Sequence, residues 1–286
     1  MKIVRIIGGL GNQMFQYAFY KKLKEKYSDV KCDINGYETY TLHTGFSLQK
    51  YFDVQLDFAS YSEVNSLTSI YKKDFFSKVF RKIFKNKKSH IEEIDFDQSI
   101  CDKRGSLYLD GYWQSDNYFG DLEALRKDFE FKNIPQLDDN ISDSIQSSNS
   151  VSLHVRRGDY VGNSVYAQQG QEYYVNAMTK LSELVENPVF YVFSDNIKWA
   201  EETLLSGYKS QFSIVFYNKE NGSEIDDLHK MSLCKHNIIA NSSFSWWGAW
   251  LNSNLNKIVI YPRNWYTSKV SNLKHIEQMP EKWLNL

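Results

Sequence analysis

Two adjacent arginines and an aspartate follow the apolar segment 151–155, which we interpret as a strand; they are Arg156, Arg157 and Asp159. In doubly wound α/β sheets, ligands bind at the carboxyl ends of the strands. A guanidinium group stays charged at physiological pH, and its planar fork of donors fits phosphate oxygens. The pattern therefore predicts a phosphate-binding loop. The alternative is a surface Arg–Asp ion pair, which would contribute little.

A second polar cluster lies where a helix is predicted to begin after the apolar segment 237–240. Ser242, Ser243 and Ser245 lie at this helix start. The first N–H groups of a helix and the positive end of its dipole attract anions, so these serines are candidates for a second phosphate contact. Three tryptophans follow at the spacing of one helical face, which favours core packing over ligand stacking: Trp246, Trp247 and Trp250. Stacking would instead suit a non-catalytic, lectin-like module.

A glycine-rich loop, 8–14 (GGLGNQM), follows the predicted strand 2–7. A dinucleotide-binding fingerprint would need a third glycine at position 14, which is Met14. The amides of Asn12 and Gln13 could still hydrogen-bond a sugar or a phosphate at the sheet edge. Asp33, at the end of the second predicted strand, would be the ribose-binding acid if the chain were a nucleotide-dependent oxidoreductase. That oxidoreductase is the alternative from a different class of enzyme.

Composition excludes several classes of protein. The net charge of −1 over 286 residues gives no field that would attract nucleic acid. The three cysteines are far apart, which favours a reducing, cytoplasmic compartment, and no apolar run is long enough to span a bilayer. No Asp-x-Asp follows a strand, and the six histidines lack metal-ligand spacing. We therefore expect no metal, so that arginines alone neutralise any bound phosphates.

The pattern of predicted elements indicates two α/β blocks. A strand, a glycine loop, a helix and a second strand occupy residues 2–34, and alternating strands and helices resume at residue 151. The polar stretch 133–150 between the blocks is predicted to be a linker. We therefore expect two Rossmann-like domains, 1–150 and 151–286, that face each other across a cleft.

Segment 72–88 is strongly basic, with phenylalanines at helical spacing. The pattern predicts a basic amphipathic helix. Such a helix could lie on an anionic membrane surface and give the protein a peripheral position at the inner face of the cell membrane. It could also be an ordinary helix that docks on the first domain, and this alternative is favoured.

Four motifs, IIGGLGNQMFQYA, HVRRGDY, FSDN and ANSSFSWWGAWL, occur in this order over nearly the whole chain. Together they resemble the bacterial α-1,2-fucosyltransferases of glycosyltransferase family 11. The resemblance implies a GT-B fold, with the acceptor bound by 1–150 and GDP-fucose bound by 151–286. It also implies inverting, metal-independent transfer of L-fucose from GDP-fucose, a co-substrate, to the 2-hydroxyl of a terminal galactose. The acceptor would be an oligosaccharide or a glycolipid, with lipid-linked glycans among the candidates.

The HxRRxD part of the pattern is shared with α-1,6- and protein O-fucosyltransferases, which remain the alternative activities. The resemblance implies that Arg156 contacts the β-phosphate and that Arg157 supports the loop. His154 would lie beside the nucleotide, and Asp195 beside the guanosine unless it only caps the next helix. The other residues implied in donor binding are Gly11, Asn12, Gln13, Ser242, Ser243, Phe244 and Ser245.

The sequence differs from the α-1,6 relatives in the position of the general base. In those relatives, a glutamate shortly after HxRRxD is proposed for this role. Here residues 161–164 contain no acid. Asp159 is the carboxylate nearest to the arginines and is our candidate, although pairing with an arginine would lower its pKa and weaken it as a base. Residues that bind the acceptor are expected within 36–120, where no pattern identifies them.

Overall fold

The computed structural model of the chain describes residues 1–40, 45–71, 87–132, 140–162, 164–218, 223–267 and 279–286, with Asp159 described by its backbone only. The chain divides into two compact units, Met1–Lys132 and Asn133–Leu286. Both units are α/β, and every strand pairing within their sheets is parallel. The predicted α/β class is therefore confirmed.

Unit 1 (Met1–Lys132) is built on a four-stranded sheet in the order β2-β1-β4-β3. Its strands are β1 (Lys2–Arg5), β2 (Val30–Asp33), β3 (His90–Glu92) and β4 (Leu107–Asp110). Its helices are Leu10–Lys26, Leu48–Tyr51, Tyr61–Leu67 and Leu122–Asp128. The first helix buries residues on nearly all sides, among them Met14, Phe15 and Phe19, as expected for a helix enclosed in a core.

Unit 2 (Asn133–Leu286) contains a six-stranded sheet in the order β10-β9-β8-β5-β6-β7. The strands are β5 (Asn149–Val155), β6 (Pro188–Ser194), β7 (Ser213–Phe216), β8 (His236–Ile238), β9 (Val259–Tyr261) and β10 (Leu284–Asn285). The helices are Asn140–Ser147, Gln171–Leu184, Ile197–Trp199, Glu224–Leu233 and Ser243–Leu251. From β5 the strands run outward to β7, and β8 then returns to the other side of β5. The strand order therefore reverses between β5 and β8, as in a doubly wound fold.

The core of unit 2 explains its continuous apolar strands. Alternating residues of β5 and β6, such as Val151, Leu153 and Val192, are fully buried against the helix Gln171–Leu184. Strands covered on both faces need apolar residues at almost every position. Trp246, Trp247 and Trp250 are also buried, and Trp283 lies beside Trp246. The ring centroids of Trp246 and Trp250 are 6.5 Å apart in a stacked arrangement. The predicted role of these tryptophans in core packing is confirmed.

The predicted linker 133–150 is wrong over its second half. Residues Asn140–Ser147 form a helix and β5 already begins at Asn149. Ile145 is fully buried and Ile141 is half-buried, so this otherwise polar helix packs its apolar residues against the unit. The division between the units lies at Lys132, earlier than the boundary expected at residue 150. Residues 133–139 lie outside the described part of the chain, as do residues 72–86 of the predicted basic helix. Within the described ranges, no helix combines the length and the apolar character needed to cross a membrane.

Candidate functional site

The arginine motif and the serine motif meet at the point where the strand order of unit 2 reverses. Leu153 of β5 is in register with Ile238 of β8, so the segments that follow these strands leave the same edge of the sheet. The rings of His154 and Phe244 have centroids 5.8 Å apart. The sheet topology thus brings together two motifs that are distant in sequence.

The loop that follows β5 takes its shape from Asp195, the first residue after β6. Its Oδ2 lies 3.1 Å from Nη1 of Arg156. The same carboxylate accepts hydrogen bonds from the backbone N–H groups of Arg157 and Gly158, both at 3.0 Å. A Cβ at position 158 would lie 2.7 Å from Oδ2 of Asp195, so a larger residue would displace this carboxylate or the loop. Asp195 therefore fixes both the guanidinium of Arg156 and the loop that carries it.

The two arginines have different surroundings. The guanidinium carbon of Arg157 lies 3.8 Å from the ring centroid of Trp199, in a cation–π contact with the helix that follows β6. The guanidinium of Arg156 lies 5.8 Å from the ring of Tyr160. The helix Ile197–Trp199 is capped by Asn196, whose side-chain oxygen accepts the N–H of Trp199 at 3.1 Å. The capping alternative considered for Asp195 is therefore wrong.

The serines at the start of helix Ser243–Leu251 differ in role. Ser242 precedes the helix, and its side chain makes no capping hydrogen bond. Ser245 is buried, and its hydroxyl donates to the carbonyl oxygens of Ala240 and Ser242, both at 3.2 Å. Ser243 and Phe244 are half-buried. The first N–H groups of a helix have no intrahelical acceptor, so the start of this helix can donate hydrogen bonds to an anion. The Ser245 hydroxyl, by contrast, already donates to backbone carbonyl oxygens of the protein.

Tyr160 joins the two motifs directly. Its hydroxyl donates to the carbonyl oxygen of Asn241 at 2.7 Å, and its ring stacks on Tyr166 at 4.6 Å. The side-chain amide of Asn241 donates in turn to the carbonyl oxygens of Ala167 and Trp265. These contacts hold the loop beside the helix start. Asp159, the candidate base, lies in the short turn Gly158–Tyr160, but its side chain is outside the described part of the structure, so its role stays a prediction.

The predicted glycine-rich loop 8–14 is shorter than expected: only Gly8 and Gly9 precede the helix Leu10–Lys26, and residues 10–14 form its first turn. Gln13 is fully buried. Its Nε2 donates to the carbonyl oxygens of Gly8 (3.0 Å) and Gly45 (2.9 Å), and its Oε1 accepts the N–H of Ser47 at 2.9 Å. These hydrogen bonds give the Gln13 side chain a structural role. Donor binding by Gln13 stays a prediction, and so does donor binding by Gly11, a buried residue of the first helical turn.

Asn12 is the half-buried member of the predicted GNQ set. Its Oδ1 accepts a hydrogen bond from Nε2 of Gln114 at 2.7 Å. Asp33 is fully buried and accepts hydrogen bonds from the hydroxyl of Tyr108 at 2.6 Å and from Asn35. A carboxylate enclosed in this way cannot reach a ribose, so the argument for an oxidoreductase from Asp33 is wrong.

The carboxyl edge of the sheet in unit 1 holds acids that sequence reasoning missed. Asp110 ends β4, with its Oδ1 3.0 Å from Nη1 of Arg5 and its Oδ2 3.3 Å from Nε2 of His90. Burial alone would raise the pKa of Asp110, but the His90 contact and the charge of Arg5 outweigh it and lower that pKa. Glu93 follows β3. The feature that could have identified both acids in the sequence is their position at the ends of strands. Both lie within the range 36–120, where we found no motif.

The arrangement in unit 2 can bind an anion by a fixed guanidinium and a helix start. Among the described residues, no three His, Cys, Asp or Glu side chains converge as metal ligands. Metal independence stays a prediction that needs its own measurement.

Several known proteins are similar to this chain. The sequence profile of "Glycosyl transferase family 11" matches residues 1–286. The chain is 36% identical to an α-1,2-colitosyltransferase of Escherichia coli over 299 aligned residues, which cover 99% of this chain and 98% of that protein. It is 39% identical to the O-antigen biosynthesis glycosyltransferase WbnK of Escherichia coli over 49% of this chain and 46% of that protein.

A mouse galactoside 2-α-L-fucosyltransferase, Sec1, is 32% identical over 37% of this chain and 29% of its own length. Among solved structures, the fucosyltransferase NodZ from Bradyrhizobium superposes with a TM-score of 0.52 at 13% identity and covers 86% of this chain and 90% of its own. At that identity, the structural likeness concerns the fold alone.

Proposed function

Because this chain belongs to glycosyl transferase family 11, we propose that it transfers L-fucose from GDP-fucose to the 2-hydroxyl of a terminal galactose, giving an α-1,2 linkage. The observation that carries the proposal is the Arg156–Asp195 pair beside the uncapped start of helix Ser243–Leu251. These two features suit an anionic leaving group such as a nucleoside diphosphate.

In the proposed reaction, the acceptor oxygen attacks the anomeric carbon of fucose from the face opposite GDP, so the configuration inverts. Negative charge then develops on the β-phosphate oxygen. A guanidinium carries five N–H donors, so we propose that Arg156 holds Asp195 and contacts the diphosphate together. The N–H groups at the helix start after Ser242 add further donors. One preorganised donor of this kind contributes about 3 kcal/mol to transition-state stabilisation.

The choice of sugar and linkage is supported by the relatives. The α-1,2-colitosyltransferase of Escherichia coli and the mouse galactoside 2-α-L-fucosyltransferase both carry the linkage in their names. The 36% identity to the former favours a second candidate donor, the GDP-linked form of colitose. Fucose and colitose donors should therefore be compared in the same assay.

We further propose that unit 2 binds the donor and unit 1 the acceptor, within the GT-B type of fold that the resemblance implies. The doubly wound sheet of unit 2 and its arginine loop support the first half of this assignment. Similarity to WbnK supports a lipid-linked acceptor glycan of the O-antigen kind. Contact of 72–88 with an anionic membrane remains part of the proposal. Absence of binding to anionic vesicles at low salt would end it.

The test is a panel of galactose-terminated acceptors with each GDP sugar, with the product linkage determined by NMR. An α-1,6 linkage or a protein acceptor would favour the alternative fucosyltransferase activities. The variant Arg156→Ala should lose about 100-fold in kcat at saturating acceptor, as expected for removal of one transition-state donor. Lys198→Ala, at an exposed position, is the control. Wild-type turnover by Arg156→Ala would remove Arg156 from the mechanism, and complete loss of activity in EDTA would refute metal independence.

A further inference from the structure

The strand order of unit 1 reverses between β1 and β4, and the helix that follows β1 is hydrogen-bonded to the loop that follows β4. The order is β2-β1-β4-β3. Gln16 of the first helix donates through Nε2 to the carbonyl oxygen of Gly111 at 2.9 Å, and Gln114 donates to Asn12 at 2.7 Å. In open parallel sheets this reversal marks the place where a ligand binds. The ligand of unit 1 is thus expected at the edge formed by the loops after β1 and β4.

Glu93 presents a carboxylate at this edge. Its backbone N–H donates to the carbonyl oxygen of Asp110 at 2.9 Å, which fixes Glu93 beside the end of β4. Its Oε2 accepts the N–H groups of Tyr112 and Trp113, both at 2.7 Å. Its other oxygen, Oε1, accepts no hydrogen bond from any part of the chain that the structure describes, and it is not sealed from solvent. One oxygen therefore anchors the loop and the other is available.

The loop is held tightly around this carboxylate. Trp113 has a φ of 54°, a conformation that is costly for a bulky residue and persists only where the surroundings enforce it. Its indole is buried and stacks on Phe19, with centroids 4.2 Å apart. A Cβ on Gly111 would lie 2.5 Å from Cβ of Glu93. Strained, over-determined backbone of this kind is concentrated at functional sites.

The two carboxyl groups at this edge differ in basicity. Burial raises the pKa of Glu93, although the hydrogen bonds from Trp113 and Tyr112 oppose the shift. The pKa of Asp110 is lowered, because its contacts with His90 and Arg5 outweigh its burial. Neighbouring carboxyl groups whose environments separate their pKa values commonly divide the acid–base work of a site. Glu93 is the better proton acceptor of the two.

We propose that Glu93 is the general base that accepts the proton of the attacking acceptor hydroxyl. The proposal rests on the function proposed above, in which unit 1 binds the acceptor. The acceptor oxygen forms a bond to the anomeric carbon while the bond from that carbon to the β-phosphate oxygen breaks. The electron pair of the broken bond leaves with GDP. The hydroxyl proton passes to Oε1 of Glu93 and is then released to water. In this assignment Glu93 replaces Asp159 as the catalytic base.

The variant Glu93→Gln separates the base from the anchor. A glutamine has the same shape, and its amide oxygen can still accept the N–H groups of Tyr112 and Trp113, but it cannot accept the proton of an attacking hydroxyl. We expect kcat to fall about 100-fold or more, the usual effect of losing a general base. The KM for the acceptor should stay the same or fall, and the unfolding midpoint should stay the same or rise. Glu92→Gln, at the exposed preceding position, should keep kcat within about twofold.

A second variant tests the chemistry independently of the fold. In Glu93→Ala, added formate should restore part of the lost turnover if a carboxylate is needed as a base. A Glu93→Gln protein with kcat within about threefold of wild type would overturn the proposal, and so would an inactive Glu93→Ala protein that formate does not rescue. In either case the wild type would still form the α-1,2 product. Failure of the wild type to transfer either sugar would instead refute the proposed function.

Discussion

Oδ2 of Asp195 lies 3.1 Å from Nη1 of Arg156, and the same carboxylate accepts the N–H groups of the next two residues. Each ion-pair partner is about three-quarters shielded from solvent. The contact therefore matters less as an ion pair than as a means of orientation. A guanidinium that is already in place need not reorganise when charge develops on a leaving group.

Replacing Asp195 by asparagine should reduce kcat/KM for GDP-fucose by about 10-fold, equivalent to roughly 1.4 kcal/mol. Asparagine keeps the size of the side chain, but it loses the charge that holds Arg156 and one of the oxygens that accept loop N–H groups. Initial rates at varied GDP-fucose measure the effect. Glu202→Gln removes an exposed acid of the same unit and serves as control. Equal kcat/KM in Asp195→Asn and wild type would contradict the positioning role.

Gly158→Ala should have a similar effect without changing any charge. The added methyl group would lie 2.7 Å from Oδ2 of Asp195, so either the carboxylate or the loop must shift, which disturbs the contact with Arg156. We expect kcat/KM to fall by about 10-fold or more, measured in the same assay. The matched control is Gly207→Ala, where a Cβ meets no atom within 4 Å. If both alanine variants behave alike, the close approach at position 158 has no functional consequence.

Gln13→Leu should destabilise the protein strongly. The change leaves the N–H of Ser47 and the carbonyl oxygen of Gly45 without the partner they have now, and the carbonyl oxygen of Gly8 keeps only the hydroxyl of Tyr37. A buried polar group without a partner costs about 1–3 kcal/mol, so we expect a loss of about 3 kcal/mol or more in the free energy of unfolding. Denaturant titration measures it, with Gln55→Leu at an exposed position as control. Unchanged stability with a large loss of GDP-fucose affinity would instead support the predicted donor contact.

Glu93→Gln should make the protein more stable at neutral pH. The pKa of Glu93 is raised by burial, so its charged form is less favourable in the folded than in the unfolded state. This destabilisation is absent below the unfolded pKa, about 4.3, and develops as the pH rises through the folded value. The gain in unfolding midpoint should therefore be largest near pH 8 and vanish near pH 4.

Thermal unfolding of Glu93→Gln, Glu92→Gln and wild type across this pH range tests the prediction. A gain in stability combined with a loss of activity is typical of a functional group held at an energetic cost. A lower midpoint for Glu93→Gln than for wild type at pH 8 would indicate that the charged carboxylate is a net stabilising anchor.

The sequence by itself determined the elements and the chemistry of the motifs. Apolar segments such as 151–155 predict buried strands because strand formation and burial leave a local pattern. The polar residues that follow them, including Arg156 and Ser242, could be assigned to strand ends and helix starts by position alone. The buried face of Trp246, Trp247 and Trp250 was predicted from helical spacing for the same reason.

Only the tertiary structure decided which of these residues meet and which atoms remain available. The order of the strands brings β5 beside β8, and this depends on contacts between distant segments. Gln13 and Asn12 are adjacent amides in one motif, yet one is fully enclosed and the other half-buried. Asp195 and Glu93 likewise acquire their roles from backbone N–H groups of other loops. Burial and hydrogen-bond partners arise from long-range packing, which no local pattern of residues contains.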